Sequence, residues 1–272
     1  MDTATDPESL RLLEGSLRTA MTAASGVKLD AALTDLGWRD MLDEMPDVAV
    51  PLVFRLLGET GAHAPVLNDV VLRETGAAPG DTVPLPFAGG SWVLWERGEG
   101  VESAIDESLP IRRAPQGDSL PPAALNAGRR ALGWWLVGAG RAMLSLARQH
   151  ALDRVQFGRH ISSFQAIRHR LAETLVAIEG AEATLHVAAQ SEDHDGLASL
   201  LAKAAAGQGA LTAARHCQQV LGGIGFTAEH PLHHHVKRSL ILDGLLGNAR
   251  ELTREAGKTL VDKRFAPRLA QL

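Results

Sequence analysis

The feature that most constrains the fold is an apolar stripe at helical spacing in the second half of the chain. The stripe continues for about six turns, while Arg168, Glu173 and Glu179 fall mostly off it. The pattern predicts a long amphipathic helix with Ser162 or Ser163 as its N-cap. The residues of the stripe are Phe164, Ile167, Leu171, Leu175, Ile178 and Leu185.

Two further long helices are predicted on either side of this one. The first follows Pro121 and Pro122, which suit a first helical turn, and the second follows a turn at residues 193–196. Small residues are frequent in both helices, as at Gly138 and Gly207, so that close helix–helix approach is expected. We therefore predict a helical bundle that also packs against another subunit.

Composition excludes several classes of function. The chain has 272 residues, 45% of them hydrophobic, which is enough for a sizeable core. A net charge of −5 gives no basic footprint for nucleic acid, and no apolar run approaches the ~20 residues of a membrane span. Cys217 is the single cysteine, so no disulfide framework exists and a cytoplasmic location is expected.

The segment just before the predicted helix carries arginine and glutamine in a glycine-containing turn. Arg154, Gln156, Phe157 and Gly158 lie here, and Gln165 lies at the helix start. Free backbone N–H groups and a guanidinium at a helix N-terminus suit an anionic ligand. A solvated turn between two helices is the alternative interpretation of the same spacing.

A second motif, which includes Gln219, Gly222 and Gly223, follows the first by roughly sixty residues. Together the two motifs resemble the C-terminal helical domain of the acyl-CoA dehydrogenases, which carries Arg-x-x-Phe-Gly, then Phe-Gln, then Gln-x-x-Gly-Gly. The resemblance implies a mainly α fold of the acyl-CoA dehydrogenase type. We expect N-terminal helices, a much reduced middle β segment and a C-terminal bundle of long helices.

The middle of the chain departs from that family. Glycines and prolines cluster between residues 76 and 90, and short strand-like pieces follow at residues 91–95 and 109–111. The family has a β-domain of about a hundred residues here, whereas about forty remain in this chain, too few for a closed barrel. We predict an N-terminal helical domain at 1–76, a truncated β segment at 77–118 and a bundle domain at 119–272.

The resemblance implies α,β-dehydrogenation of an acyl-CoA with FAD as hydride acceptor. In the family each FAD lies across two subunits, and this chain retains only the half that holds the pyrophosphate and adenosine. It therefore resembles the reduced subunit of α2β2 heterotetramers, some of which act on steroid-derived acyl-CoA thioesters. The resemblance implies that FAD is shared with a second acyl-CoA dehydrogenase subunit. The residues implied to contact FAD are Arg154, Gln156, Phe157, Gln165, Gln219, Gly222 and Gly223.

The resemblance also suggests a catalytic base. Asp243 occupies the place of the family's C-terminal glutamate, with a side chain shorter by one methylene. A helix-end aspartate without a catalytic role is the other interpretation. Leu245, Leu246 and Gly247 replace the residues that touch the flavin in the family.

Several alternatives stay open or are rejected at this stage. The chain could be a purely structural helical subunit without cofactor contact, or a self-sufficient dehydrogenase that uses Asp243. A dinucleotide fingerprint at residues 223–228 lacks the preceding strand, so that a Rossmann site is not expected. In the cluster His230, His233, His234 and His235, the consecutive histidines point around a helix and no carboxylate or cysteine lies at i+4, so that a metal site is not expected either.

Overall fold

The structure, a computed structural model, describes residues 6–98, 109–191, 196–264 and 266. It confirms the mainly α fold. Most of the turn that was predicted at residues 193–196 lies outside the described residues. The helices are α1 (Pro7–Ala23), α2 (Val27–Asp35), α3 (Trp38–Glu44), α4 (Pro46–Thr60), α5 (Val66–Arg73), α6 (Pro122–Asp153), α7 (Gln165–Gln190), α8 (Leu197–Leu221), α9 (Leu232–Gly244) and α10 (Ala249–Lys263).

A small antiparallel sheet lies between the N-terminal helices and the bundle. Its strands are β1 (Pro84–Phe87), β2 (Ser91–Trp95) and β3 (Ile111–Ala114), in that spatial order, with Leu85 opposite Val93. The sequence interpretation missed β1 because its two prolines argue against a strand. They are tolerated because β1 is an edge strand. A proline there can place its missing N–H group on the side that has no neighbouring strand of the sheet. The third strand also begins two residues later than predicted.

The long α7 differs from its prediction in two respects. Its N-cap is Phe164, whereas the Ser163 hydroxyl donates to the carbonyl oxygen of His160 at 2.7 Å and closes a 3₁₀ turn. The predicted serine caps are therefore wrong. The apolar stripe is buried at Ile178 and Leu185 but 43% exposed at Leu175, because α6 and α8 cover only part of this helix.

Helix α6 is the centre of the molecule and is buried along most of its length. On one side it meets α4 at two glycines. A methyl group on Gly58 would lie within 3.0 Å of the Trp135 carbonyl oxygen, and one on Gly138 within 3.0 Å of the Arg55 carbonyl oxygen. The two backbones are therefore in direct contact, as only glycine permits.

A series of aromatic rings fills the space beside this glycine contact. Trp38 packs on Phe54, Phe54 meets Trp135 edge to face, and Trp135 stacks on Trp95 of β2 with ring centroids 5.4 Å apart. All four side chains are fully or almost fully buried. The rings join the N-terminal helices, the small sheet and α6 into one core.

The glycine contact gives a first prediction. Gly138→Ala should lower the free energy of unfolding by ~3 kcal/mol, because the added methyl group meets rigid backbone and forces α4 and α6 apart. Gly180→Ala on α7 is the control, since no atom lies within 4 Å of the added methyl group there. It should raise stability by up to ~1 kcal/mol through helix propensity. Urea unfolding measures both changes, and equal stability of the two variants would contradict the contact.

Candidate nucleotide half-site

Three helix termini meet at one end of the bundle. Helix α6 ends there at Asp153, α7 begins there at Gln165, and α8 returns antiparallel to α7 and ends there at Leu221. The alignment of α7 and α8 is fixed by a contact of 3.0 Å between Thr174 Oγ1 and His216 Nδ1. We call this region, residues 154–165 and 219–226, the motif end. It contains all seven residues that the sequence motifs implicate in FAD contact.

A two-stranded hairpin, β4 (Val155–Gln156) and β5 (Arg159–His160), forms the first part of the motif end. Phe157 and Gly158 make its turn with φ values of 54° and 75°, both in the left-handed region that a two-residue hairpin turn requires. Glycine adopts this conformation readily, whereas for phenylalanine it is unusual and costs energy. Phe157 is nevertheless 91% exposed.

The rings of this hairpin are arranged against the start of α7. Phe157 lies edge to face with Phe164 at a centroid distance of 6.1 Å, and the Arg159 guanidinium lies 4.2 Å from the centre of the Phe164 ring. The cation–π contact fixes Arg159 and leaves the exposed Phe157 ring beside it. The hairpin therefore offers an aromatic surface flanked by positive charge.

Arg154 is fixed through its backbone. Its N–H donates to the His150 carbonyl oxygen at 2.9 Å, and its carbonyl oxygen accepts from Ile161 N–H at 2.9 Å. The side chain is exposed, and no carboxylate pairs with its guanidinium within the described part of the chain. A well-placed backbone with an uncommitted guanidinium is suited to an anionic ligand.

The backbone is accessible at the start of α7 and at the end of α8. Gln165 is the exposed first residue of α7, whose N-cap makes no side-chain hydrogen bond. The Ile167 N–H donates to the Phe164 carbonyl oxygen at 3.1 Å, so that the unused N–H groups of the first turn are those of Gln165 and Ala166. Gly222 caps α8 with φ 66°, and a methyl group on Gly222 or Gly223 would meet nothing within 4 Å. The backbone here is open on its outer side, and Gln219 is exposed next to it.

Asp243 lies far from the motif end. Its carboxylate accepts from Ala249 N–H at 3.1 Å and lies 3.8 Å from the ammonium group of Lys203. Lys203 is 18 residues before the end of α8, which places it ~27 Å from the glycine turn along the helix. The structure therefore separates the predicted base from the other seven residues.

Lys203 itself was not singled out from the sequence. It is fully buried and donates to the carbonyl oxygens of Asp243 at 3.0 Å and Gly247 at 3.3 Å. Burial lowers the pKa of Lys203 to about 8, although the nearby Asp243 carboxylate opposes this shift. The sequence signal that could have identified it is a single lysine within the alanine-rich, apolar stretch of a predicted helix.

Residues 245–248, here called the connector, join α9 to α10 and are held on several sides. Arg129 Nε donates to the Leu246 carbonyl oxygen at 3.2 Å, and Leu246 N–H donates to the Pro86 carbonyl oxygen of β1 at 2.8 Å. Leu245 forms a bridge with Phe87, whose ring also lies against Gly244. Strand β1 thus covers the connector, and both leucines are buried.

The structure bears on the two interpretations that the sequence pattern disfavoured, a dinucleotide fingerprint and a histidine metal site. A helix, α8, precedes the glycines at 223–225, so that the strand–turn–helix context of a dinucleotide fingerprint is missing. Among the described residues no group of His, Cys, Asp and Glu side chains could hold a metal ion. No helix in the described part is long and apolar enough to cross a membrane.

Comparisons with known proteins agree with this architecture. Residues 116–256, just over half of the chain, match the family model described as acyl-CoA dehydrogenase, C-terminal domain. The chain is 35% identical over 206 residues to acyl-CoA dehydrogenase FadE34 of Mycobacterium tuberculosis, covering 67% of this chain and 28% of that protein. It is 39% identical over 118 residues to acyl-CoA dehydrogenase IpdE2 of the same organism, covering 43% and 36%. The chain thus spans about a third of the length of these relatives.

Two solved structures share the fold over almost their whole length. The Tcur3481–Tcur3483 steroid ACAD G363A variant superposes with a TM-score of 0.68 at 20% identity, covering 94% of this chain and 99% of that one. The ChsE4–ChsE5 complex from Mycobacterium tuberculosis gives 0.67 at 18% identity, covering 98% and 100%. At such identities the likeness concerns the fold.

The buried lysine gives a second prediction. The pKa of Lys203 is about 8 in the folded chain against an ordinary value of 10.5 for a lysine. The unfolded chain therefore binds more protons in this interval, and Lys203 should make the free energy of unfolding rise with pH from about 8 to about 10.5. In Lys203→Met this contribution is absent.

Urea unfolding of both proteins across this pH range measures the difference. Burial raises the pKa of Cys217 to about 12, so that this thiol lowers the free energy of unfolding as the pH rises. The contribution of Cys217 is the same in both proteins and cancels in the comparison. The stability of wild type relative to Lys203→Met should therefore rise with pH. Parallel pH curves for the two proteins would contradict the burial of a charged Lys203.

Proposed function

The chain belongs to the acyl-CoA dehydrogenase family, and from this premise we propose that it is a subunit that completes the FAD site of a flavin-holding partner. The complex would catalyse α,β-dehydrogenation of an acyl-CoA. One observation carries the proposal. The motif end is exposed and carries an arginine and open glycines that suit a dinucleotide, whereas the connector, which stands in the place of the family's flavin-contacting residues, is covered by β1.

The motif end fits the pyrophosphate and adenosine of FAD by its chemistry. The Arg154 guanidinium is free to bind the pyrophosphate, and the unused N–H groups at the start of α7 favour the same charge. The side-chain amides of Gln165 and Gln219 can donate hydrogen bonds to the adenosine and accept hydrogen bonds from it. The open glycines allow a ligand to approach the backbone closely. Gln156 and the exposed Phe157 ring extend this surface. When bound, FAD supplies a hydride acceptor.

Within the described residues, we find no counterpart of the other half of a flavin site. In the family the residues after the base touch the flavin, and here Leu245 and Leu246 are buried under β1 and the connector is held by Arg129 and Lys203. The Asp243 carboxylate is engaged by Ala249 N–H and Lys203, so that it is poorly placed to take a proton from a substrate. The catalytic base and the ring-binding residues would therefore belong to the partner subunit.

We further propose that the assembly is an α2β2 heterotetramer acting in the cytoplasm, with the chain divided at 1–76, 77–118 and 119–272. Two structures of similar fold are named for a pair of proteins, one of them as a steroid ACAD. These names favour a second acyl-CoA dehydrogenase subunit as the partner and a steroid-derived acyl-CoA as the substrate. A middle segment whose described residues form three short strands would leave room for a bulky acyl group beside the partner.

The third prediction tests the half-site. Arg154→Ala should weaken FAD retention by about 30-fold or more, because loss of one member of a buried charge pair costs roughly 2–5 kcal/mol. The complex is purified through a tag on this chain, and its FAD content and dissociation constant are measured after gel filtration. The assembly should persist, since the bundle helices carry the packing.

Arg254→Ala on α10 is the matched control, because this arginine is exposed and lies outside the motif end. It should leave FAD binding unchanged. Full flavin occupancy with an unchanged dissociation constant in Arg154→Ala would instead identify a purely structural subunit.

The fourth prediction concerns Asp243. Asp243→Asn keeps an oxygen that can accept from Ala249 N–H, so that the fold should survive. If the base lies on the partner, turnover should change by less than ~10-fold, whereas loss of a general base typically costs ~10²–10⁴-fold. Steady-state rates are compared at equal flavin content. A thousandfold loss would assign the base to this chain.

A further inference from the structure

We propose that His150 and His230 form a pH-sensitive joint that holds the two parts of the motif end together. This inference rests on the proposed function and concerns its regulation. Each part of the motif end comes from a different segment, the hairpin after α6 and the glycine turn after α8. One histidine belongs to each segment, and their rings meet with centroids 6.4 Å apart at 88°.

His150 is linked directly to the residue that matters most in the hairpin. Its carbonyl oxygen accepts from the backbone N–H of Arg154 at 2.9 Å, where α6 ends. A shift of His150 therefore moves the start of the hairpin. The ring of His150 is half-buried and faces the loop that follows the glycine turn.

His230 lies in that loop, a few residues after the 3₁₀ turn Gly222–Phe226. Its Nδ1 accepts from Leu232 N–H at 3.1 Å, and its carbonyl oxygen accepts from His233 N–H at 3.2 Å. An accepting Nδ1 requires a neutral ring with its proton on Nε2. Protonation would turn this acceptor into a donor and break the bond that fixes the ring.

The electrostatic surroundings also favour the neutral form. Burial lowers the pKa of His150, as do His230 and Arg154, while Asp153 opposes them. Burial and His233 lower the pKa of His230. Because both folded pKa values lie below the ordinary 6.5, the separated rings bind more protons than the joined rings. The joint is intact above that pH and weakens as the pH falls below it.

Opening of the joint would separate Arg154 from Gly222 and Gly223, which bind one ligand only when they are held together. FAD affinity should thus fall with acidification by up to ~10-fold per pH unit for each proton taken up. The device would release the shared FAD, and with it the contribution of this subunit, under acid conditions.

The test compares FAD dissociation constants of the purified complex at about pH 7.5 and about pH 5.5, on either side of the ordinary histidine pKa of ~6.5. Wild type should bind FAD ~3- to 10-fold more weakly at the lower pH. His150→Phe keeps a ring against His230 but cannot be protonated, so its loss of affinity should be much smaller. His186→Phe, at the opposite end of α7, should behave as wild type.

Two results would overturn the joint: an FAD affinity of wild type that does not change with pH, or equal profiles for wild type and His150→Phe. If His150→Phe fails to fold, His150→Gln provides the same loss of charge. Thermal unfolding supplies a readout that does not depend on FAD, since the stability of wild type relative to the variant should fall below pH ~6.5. A complex that lacks FAD at neutral pH would contradict the proposed function, while this second readout would still decide the joint.

Discussion

The direct backbone contact of α4 with α6 is the constraint on which the rest of the structure depends. At Gly58 and Gly138 no side chain separates the two helices, and this short distance positions Trp135 between Phe54 and Trp95. The other faces of α6 are then free for α7, α8 and α9. Because α6 runs the length of the bundle, its placement decides both where the hairpin emerges at one end and where Arg129 reaches the connector at the other.

Charges are used in opposite ways at these two ends. Around the connector, Lys203, Asp243 and Arg129 are buried, and their polar atoms bond to backbone groups, to each other or, from Arg129, to Glu255. At the motif end, Arg154 and Gln165 are exposed, and the open glycines leave backbone accessible. Buried charges must be satisfied inside the fold, whereas exposed charges on fixed backbone can be satisfied by a ligand. The first arrangement stabilises this chain, and the second leaves a surface for another molecule.

The sequence was sufficient to predict the parts of the structure that depend on local pattern. The periodicity that includes Ile178 and Leu185 predicted α7, and the linked motifs predicted which residues share one end. Strand β1 could not be predicted, because its prolines are acceptable only at a sheet edge, which is a tertiary property. The exposure of Leu175 could not be predicted, because it depends on how far α6 and α8 extend over α7. The role of Lys203 likewise required knowledge of which carbonyl groups converge on it.

The seal that β1 forms over the connector has a consequence for the history of such a chain. A subunit that has merely lost a domain could recover it by a single recombination event. Here Leu245, Leu246 and Phe87 close the space beside the connector, and freeing Asp243 would leave the ammonium group of Lys203 in the interior without its carboxylate. Each substitution that reopened this space would therefore destabilise the protein before any benefit appeared. Under the proposed function, the division of labour between two subunits would therefore be difficult to reverse.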